Sequence, residues 1–124
     1  NFYACNFAGQ IAYHDFEGVT VREEEGERLV HNLGDKRILM LKNHGPVVMG
    51  KTLTEAFIKY WALQRACEIQ LATMSMGKPI TVPQEVIAVH QRDLFMASIP
   101  GQAGKAEFDA MVRTVDRIDP SWRD

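Results

Sequence analysis

Apolar residues along this chain follow two different spacings, and the change from one to the other separates strands from helices. Apolar runs at 38–41 and 47–49 lie on either side of the sequence Asn43-His44-Gly45-Pro46. Short apolar runs bounded by Gly and Pro are typical of strands, so we expect two strands joined by a tight Gly-Pro turn. A weaker pattern over residues 5–13 predicts a third strand that ends at Ile11-Ala12-Tyr13.

A spacing of three and four residues between apolar positions predicts helices in the rest of the chain. The longest covers residues 52–76, about 24 residues or about 36 Å at 1.5 Å per residue. Thr52 and Glu55 form a capping box at its start, and Gly77 followed by Pro79 ends it. Two shorter helices are expected over residues 85–97, which Pro100 and Gly101 would end, and over residues 105–118.

A fourth helix is predicted between the weak strand and the first strong one. Thr20 and Glu23 are spaced as a capping box, and Gly34 is placed to end the helix. The acidic run at 23–25 then lies in the first turn, where the helix dipole favours negative charge. We expect this run to be solvated, because consecutive carboxylates on a helix point in directions about 100° apart and do not converge on one ion.

Length and charge narrow the class of protein. With 124 residues, 46% of them hydrophobic, the chain can form one core, so we expect a single α+β or three-layer α/β/α unit. The net charge of −2 provides no basic field for nucleic acid. No apolar run is long enough to span a bilayer, and no signal segment opens the chain, which predicts a cytoplasmic protein. Cys5 and Cys67 are expected to be reduced.

His44 is the candidate reactive residue, because it lies at the end of a strand on rigid backbone and next to a glycine that allows close approach. Imidazole is the commonest protein ligand for transition metals and the usual acid or base near neutral pH. The same position also fits a histidine that caps a turn. Asn43 either orients the ring or serves the turn. His14 could compete as a ligand, but we expect it to be an exposed loop residue. His31 is expected among the polar positions of a short helix, and His90 at a surface or an interface.

The segment from Lys42 to Leu71, KNHGPVVMGKTLTEAFIKYWALQRACEIQL, resembles the class II aldolase and adducin family. The Asn-His-Gly element, the Gly-x-Thr step into a helix and Arg-Ala-Cys-Glu-Ile-Gln all fit that family, the last being similar to its adducin branch. The resemblance covers residues 10–77. It implies a three-layer α/β/α class II aldolase-like domain, of which residues 1–124 would be the C-terminal part.

The resemblance also implies a chemistry. Members of the family hold Zn²⁺ or another divalent metal with three histidines, and His44 would be one of them. The implied function is carbon–carbon lyase activity on a small sugar phosphate or related hydroxy-carbonyl substrate, through an enediolate. Two alternatives stay open: a non-catalytic, adducin-like assembly module, and a sugar-phosphate epimerase or decarboxylase on the same metal site.

The chain departs from the family pattern in two respects. The family has a His-x-His pair and, earlier still, a catalytic glutamate before Asn-His-Gly; no His-x-His exists here, because His14, His31, His44 and His90 are isolated, and we expect both features to belong to an N-terminal portion that these residues do not include. The C-terminal tyrosine that some catalytic members use is also missing, because no tyrosine follows Tyr60. We therefore expect this chain alone to be inactive. The intact protein is expected to be a homotetramer, as the family implies, with Trp61 and Ile69 outside the main apolar stripe of the long helix available for contact.

Overall fold

A computed structural model describes residues 1–19, 21–97 and 102–123, and of Ala97 only the backbone. In this part of the chain the strands are β1 (Ile11–His14), β2 (Ile38–Leu41) and β3 (Gly45–Val48). The helices are α1 (Phe2–Cys5), α2 (Glu23–Leu33), α3 (Leu53–Ser75), α4 (Gln84–Ala97) and α5 (Lys105–Ile118), followed by a 3-10 turn at Pro120–Arg123. The α/β prediction is confirmed, with α1 as a short helix that the apolar spacing did not reveal.

The three strands form one sheet in the order β1-β2-β3. β1 and β2 run parallel, with His14 opposite Leu41, and α2 makes the crossover between them. β2 and β3 are antiparallel, with Leu41 opposite Gly45. Because β1 and β2 share a direction, their carboxyl ends lie at the same edge of the sheet, next to the β2–β3 turn.

The centre of the core lies on β2. Ile38 and Leu39 are 1% and 3% exposed, although adjacent residues of a strand point to opposite faces of the sheet. Ile38 packs with Phe7 of the segment after α1 and with Ala62 and Leu63 of α3. Since α2 contacts β1 and β2, both faces of the sheet are covered, as a three-layer arrangement requires.

The strand boundaries differ from the sequence prediction at the turn. Residues 42–44 form the turn, and Gly45 and Pro46 are the first residues of β3. Proline is tolerated there because β3 is an edge strand of the sheet in the described part of the chain, where the position of the missing N–H can face away from the ladder.

The strand predicted over residues 5–13 begins only at Ile11. Before it, α1 is capped by Asn1, whose side-chain oxygen accepts a hydrogen bond from the Ala4 N–H at 3.0 Å. Cys5 is buried in this helix, and Phe7 enters the core. The apolar residues ahead of Ile11 therefore reflect a capped helical turn and core packing rather than strand alternation.

The prediction for α2 is confirmed at its end and wrong at its start. Gly34 follows the helix with φ of 55°, as expected for a C-terminal glycine. The helix begins at Glu23 after Arg22, which makes no side-chain cap bond, and Thr20 lies outside the described residues. Glu25 is only 6% exposed rather than solvated. Because α2 packs on the sheet, one of three consecutive helical residues must face inward.

The capping prediction for α3 is confirmed. The Thr52 hydroxyl accepts a hydrogen bond from the Glu55 N–H at 3.1 Å, and the Glu55 carboxylate accepts one from the Lys51 N–H at 2.9 Å. The hydrogen bonds to Lys59 and Lys51 hold the pKa of Glu55 below its usual value. α5 has the predicted bounds, and α4 starts one residue early, while its predicted stop at Pro100-Gly101 lies outside the described residues.

Two further predictions concern membrane-spanning helices and the state of the cysteines. None of the helices within residues 1–19, 21–97 and 102–123 is long and apolar enough to cross a membrane. Cys5 and Cys67 are both free thiols, as predicted, with Cys5 buried and Cys67 half-buried against the core.

Candidate functional site

The carboxyl edge of the parallel strands carries the turn that contains His44, the candidate residue of the sequence. His14 is the last residue of β1, and Leu41 is the last residue of β2. The turn at 42–44 follows Leu41 directly and carries His44. Ligands of open α/β sheets commonly bind outside the carboxyl ends of the strands, so His44 lies at the edge where a site is expected.

The backbone of the turn is well defined. The His44 N–H donates a hydrogen bond to the Leu41 carbonyl at 3.1 Å, which closes a four-residue turn. Asn43 is its third residue and has φ of 58°, the only positive φ of a non-glycine residue in the described part of the chain. Type II turns require positive φ at this position and favour Gly or Asn there. Asn43 therefore serves the backbone of the turn, one of the two roles left open by its sequence position.

The His44 side chain is exposed on this turn, and its ring makes no hydrogen bond to any residue within 1–19, 21–97 or 102–123. Its main chain is held by the turn bond, and the next residue, Gly45, pairs with Leu41 in the sheet. The side chain thus combines a fixed backbone with an available imidazole. A histidine that capped the turn would use a ring nitrogen on a backbone group, and the structure shows no such bond.

The turn is tied to β1 by two contacts at Lys42. The Lys42 N–H donates a hydrogen bond to the His14 carbonyl at 2.9 Å. The Lys42 ammonium lies 2.5 Å from a carboxylate oxygen of Asp15 and holds the pKa of that carboxyl below its usual range. The ion pair is exposed and contributes little stability, so the backbone bond is the firmer of the two links.

His14 is buried rather than exposed, and the expectation of a loop histidine is wrong. Its side chain is 4% exposed, and its Nδ1 lies 2.8 Å from the Asn32 side-chain nitrogen on α2. Its Nε2 lies 3.5 Å from a carboxylate oxygen of Glu17, without a hydrogen bond to the described residues. The reason for the burial is the parallel crossover, which returns α2 over the end of β1 and covers the ring.

Glu17 continues this polar cluster toward solvent. Both of its carboxylate oxygens accept hydrogen bonds from the Arg28 guanidinium, one of them at 2.9 Å, in a two-point ion pair. The guanidinium holds the pKa of Glu17 below its usual range. The loop after β1 is therefore fastened back onto α2 beside His14.

The other two histidines, His31 and His90, lie on α2 and α4 rather than on the turn. His31 is exposed near the end of α2, as predicted. His90 on α4 is half-buried, with Nε2 2.6 Å from the Asn6 side-chain oxygen and its ring edge-on to Phe2 at 4.9 Å. Those contacts join α4 to the first segment of the chain, so His90 lies half-buried between two parts of the chain rather than free on a surface.

Two concave surfaces of the molecule lie elsewhere. One, of about 770 Å³, is formed mainly by residues of α3, α4 and α5, and the other, of about 660 Å³, lies between α1, β1 and α3. His44 lines neither of them. Because its side chain is exposed, the candidate residue lies on an open edge of this chain.

How well a divalent metal fits this edge of the sheet depends on which side chains can donate a lone pair to it. His44 offers an exposed, unengaged imidazole, which suits Zn²⁺. The described ranges contain no group of three or more His, Cys, Asp or Glu side chains able to hold a metal ion. A closed or catalytic zinc site uses three or four ligands from the protein, and the described residues alone do not assemble such a set.

His44 was a candidate from the sequence alone, whereas the cluster of His14, Asn32 and Glu17 was not predicted. One signal was available: a strand, a helix and a second strand in succession predict parallel neighbours with their carboxyl ends together. That rule would have placed His14 at the same edge as His44. The bond between His14 and Asn32 carries no sequence signal, because it depends on how α2 rotates against the sheet.

Comparison with known proteins identifies the family. The model of the Class II Aldolase and Adducin N-terminal domain matches residues 1–71. A crystal structure of an aldolase II superfamily protein from Pseudomonas syringae superposes with a TM-score of 0.89 and 34% identity, over 100% of this chain and 50% of that one. Alpha-adducin of Rattus norvegicus is 35% identical over 125 residues, which cover 89% of this chain and 17% of the adducin.

A more distant structure shares the fold. The L-fuculose 1-phosphate aldolase from Glaciozyma antarctica superposes with a TM-score of 0.74 at 20% identity, over 98% of this chain and 44% of that enzyme. This chain spans about half the length of the bacterial curated relatives that it matches. The segment that the family model matches, residues 1–71, includes β1, α2, the His44 turn and most of α3. The chain therefore belongs to the class II aldolase and adducin family.

Proposed function

We propose that the full-length protein, meaning the complete natural product that includes these 124 residues, is a metal-dependent carbon–carbon lyase of the class II aldolase type. The observation that supports it best is the exposed His44 imidazole, on a turn fixed at the carboxyl edge of the parallel strands. The family match covers this turn. His44 would be one of the ligands of Zn²⁺ or another divalent metal.

The role of His44 follows from its chemistry. A neutral imidazole nitrogen donates a lone pair to a metal, and a ligand on fixed backbone keeps its direction. Stabilisation of an enediolate is the Lewis-acid chemistry that a zinc ion supplies in such a site. The substrate class is a small sugar phosphate or related hydroxy-carbonyl compound, and the related fold of an L-fuculose 1-phosphate aldolase supports testing such compounds first.

Two other functions use the same fold. A non-catalytic, adducin-like assembly module is supported by the 35% identity to alpha-adducin. An epimerase or decarboxylase would differ from the lyase only in the bond that changes after the enolate forms. Scaffolding needs no metal ligands, so metal dependence separates the module from the enzymes.

Metal removal from the full-length protein tests the proposal. The protein is stripped with a chelator, assayed for cleavage of L-fuculose 1-phosphate and related sugar phosphates, and then reloaded with zinc. We expect cleavage to disappear without metal and to return with it. A protein that binds no divalent metal and cleaves none of these compounds would contradict the lyase and favour the assembly module. Epimerisation or decarboxylation without cleavage would support the third function.

We further propose that the full-length protein is a homotetramer, with the segment after Pro79 near a subunit boundary. Trp61 and Ile69 of α3 are 37% and 38% exposed, and Met96 and Ile118 are 76% and 80% exposed. Interfaces favour aromatic residues and Met, and symmetric copies are the commonest way to bury them. Sedimentation equilibrium at micromolar concentration should give four times the monomer mass, and a persistent monomer would contradict this.

A further inference from the structure

We propose that His14 is a positioning residue for His44: its buried imidazole fixes the end of β1, and the end of β1 fixes the turn. The inference rests on the proposed function in one respect: that function gives His44 a metal ion to bind. His14 itself is 4% exposed, so it acts through the backbone and not by touching a ligand.

The first step is the anchoring of His14 to α2. Its Nδ1 and the Asn32 side-chain amide are 2.8 Å apart. Asn32 donates to Nδ1 in the orientation described, and with the amide reversed its oxygen would accept from Nδ1–H, so the bond exists either way. On the other side of the ring, Glu17 is held by Arg28 of the same helix. The end of β1 is thus attached to α2 from two directions.

The second step is the contact between β1 and the turn. The His14 carbonyl accepts the Lys42 N–H at 2.9 Å, two residues before His44. Asp15, the next residue after His14, pairs with the Lys42 ammonium. A displacement of residues 14 and 15 would therefore remove both contacts at Lys42.

The turn depends on those contacts because the hairpin that carries it is small. β2 and β3 are four residues each, and β3 is an edge strand of the described sheet, so beyond the hairpin itself the turn is supported within the sheet by β1. β1 lies on the other side of β2 from β3, and its last residue, His14, pairs with Leu41, where the turn begins. The direction of the His44 side chain follows from the backbone of this turn.

The test compares two replacements of His14 in the full-length, metal-free protein. His14→Leu replaces the imidazole with an apolar side chain of similar size and removes the bond to Asn32. His14→Asn places an amide near the position of Nδ1 and can restore that bond. His31→Leu is the matched control, because His31 is an exposed histidine on the same α2.

Hydrogen exchange provides the first measurement, in a peptide covering residues 40–46. Both the Lys42 and His44 amides are hydrogen-bonded in the structure. For His14→Leu we expect exchange in this peptide to rise about fivefold, the effect of losing one typical hydrogen bond. Exchange in a peptide covering 105–112 of α5 should be unchanged, and His14→Asn and His31→Leu should match the unmodified protein. Unchanged exchange in 40–46, or an equal rise in both peptides, would overturn the inference.

Zinc affinity provides the second measurement. His14→Leu should weaken zinc binding by about 10–100-fold, the usual cost of losing a group that orients a ligand, and His14→Asn should recover most of it. If His44→Ala leaves zinc binding intact while His14→Leu still loosens the turn, the metal proposal fails and the positioning of the turn stands. A third outcome is that His44→Ala abolishes zinc binding, while His14→Leu loosens the turn without changing the zinc affinity. In that case the positioning role of His14 toward the metal is wrong.

Discussion

His44→Ala in the full-length protein is expected to weaken zinc binding by at least about 100-fold and to abolish metal-dependent cleavage. Losing a group that merely orients a metal ligand costs about 10–100-fold in affinity, so losing a ligand should cost at least as much. The fold should be intact, because the His44 side chain is exposed and its ring makes no hydrogen bond to the described residues. Isothermal titration with zinc and circular dichroism measure the two effects.

The control for this variant is His31→Ala, which removes an exposed histidine from α2. It should leave zinc affinity and cleavage at their unmodified values. Undiminished zinc binding in His44→Ala would contradict the assignment. A parallel loss in the His31 variant would mean that the titration reports general histidine binding rather than a site.

The largest expected effect on stability is that of Ile38→Ala. Ile38, the first residue of β2, is 1% exposed and packs with Phe7 and Leu63, so truncation leaves a cavity between the sheet and α3. Such replacements cost about 2–5 kcal/mol of unfolding free energy. Urea denaturation of the full-length protein, followed by circular dichroism, should show a lower midpoint and an unfolding free energy that is smaller by this amount.

Two variants calibrate that result. Ile38→Val removes a single methyl group and should cost about 0.5–1.5 kcal/mol. Val30→Ala truncates a residue of α2 that is 72% exposed and should change the unfolding free energy by less than about 0.5 kcal/mol. If Ile38→Ala were no more destabilising than Val30→Ala, the core would not be centred on β2 as the structure has it.

The helices of this chain were largely predictable because their signals are local. The capping pair Thr52 and Glu55 lies within the first turn of α3, and its geometry depends only on neighbouring residues. The apolar spacing of α5 gives its bounds, Lys105–Ile118, directly. The short α1 escaped prediction because one helical turn is too short to show a period, and its cap, Asn1, is the first residue.

The errors occur where contacts distant in sequence decide the outcome. Glu25 lies in an acidic run and His14 is followed by Asp15, yet both are buried because α2 packs against the end of β1. Pro46 resembles a turn residue, yet it lies in β3 because that strand is at the edge of the described sheet. Pairing and burial of this kind are tertiary effects that residue spacing does not encode.

The candidate site divides in the same way. Asn43, His44 and Gly45 form a local turn, so the place of His44 at a strand end was predictable. The groups that hold that turn, His14 and Asp15, are 27 or more residues away from Lys42 in sequence, and nothing in their own surroundings marks them. The parallel arrangement of β1 and β2 brings them together.

Zinc anomalous scattering from crystals of the zinc-loaded full-length protein tests the central claim most directly, because it locates the metal without reference to activity. We predict an anomalous peak about 2.0–2.1 Å from a ring nitrogen of His44, the usual distance between zinc and an imidazole ligand. A zinc peak coordinated by other residues, with the His44 ring in solvent, would contradict it.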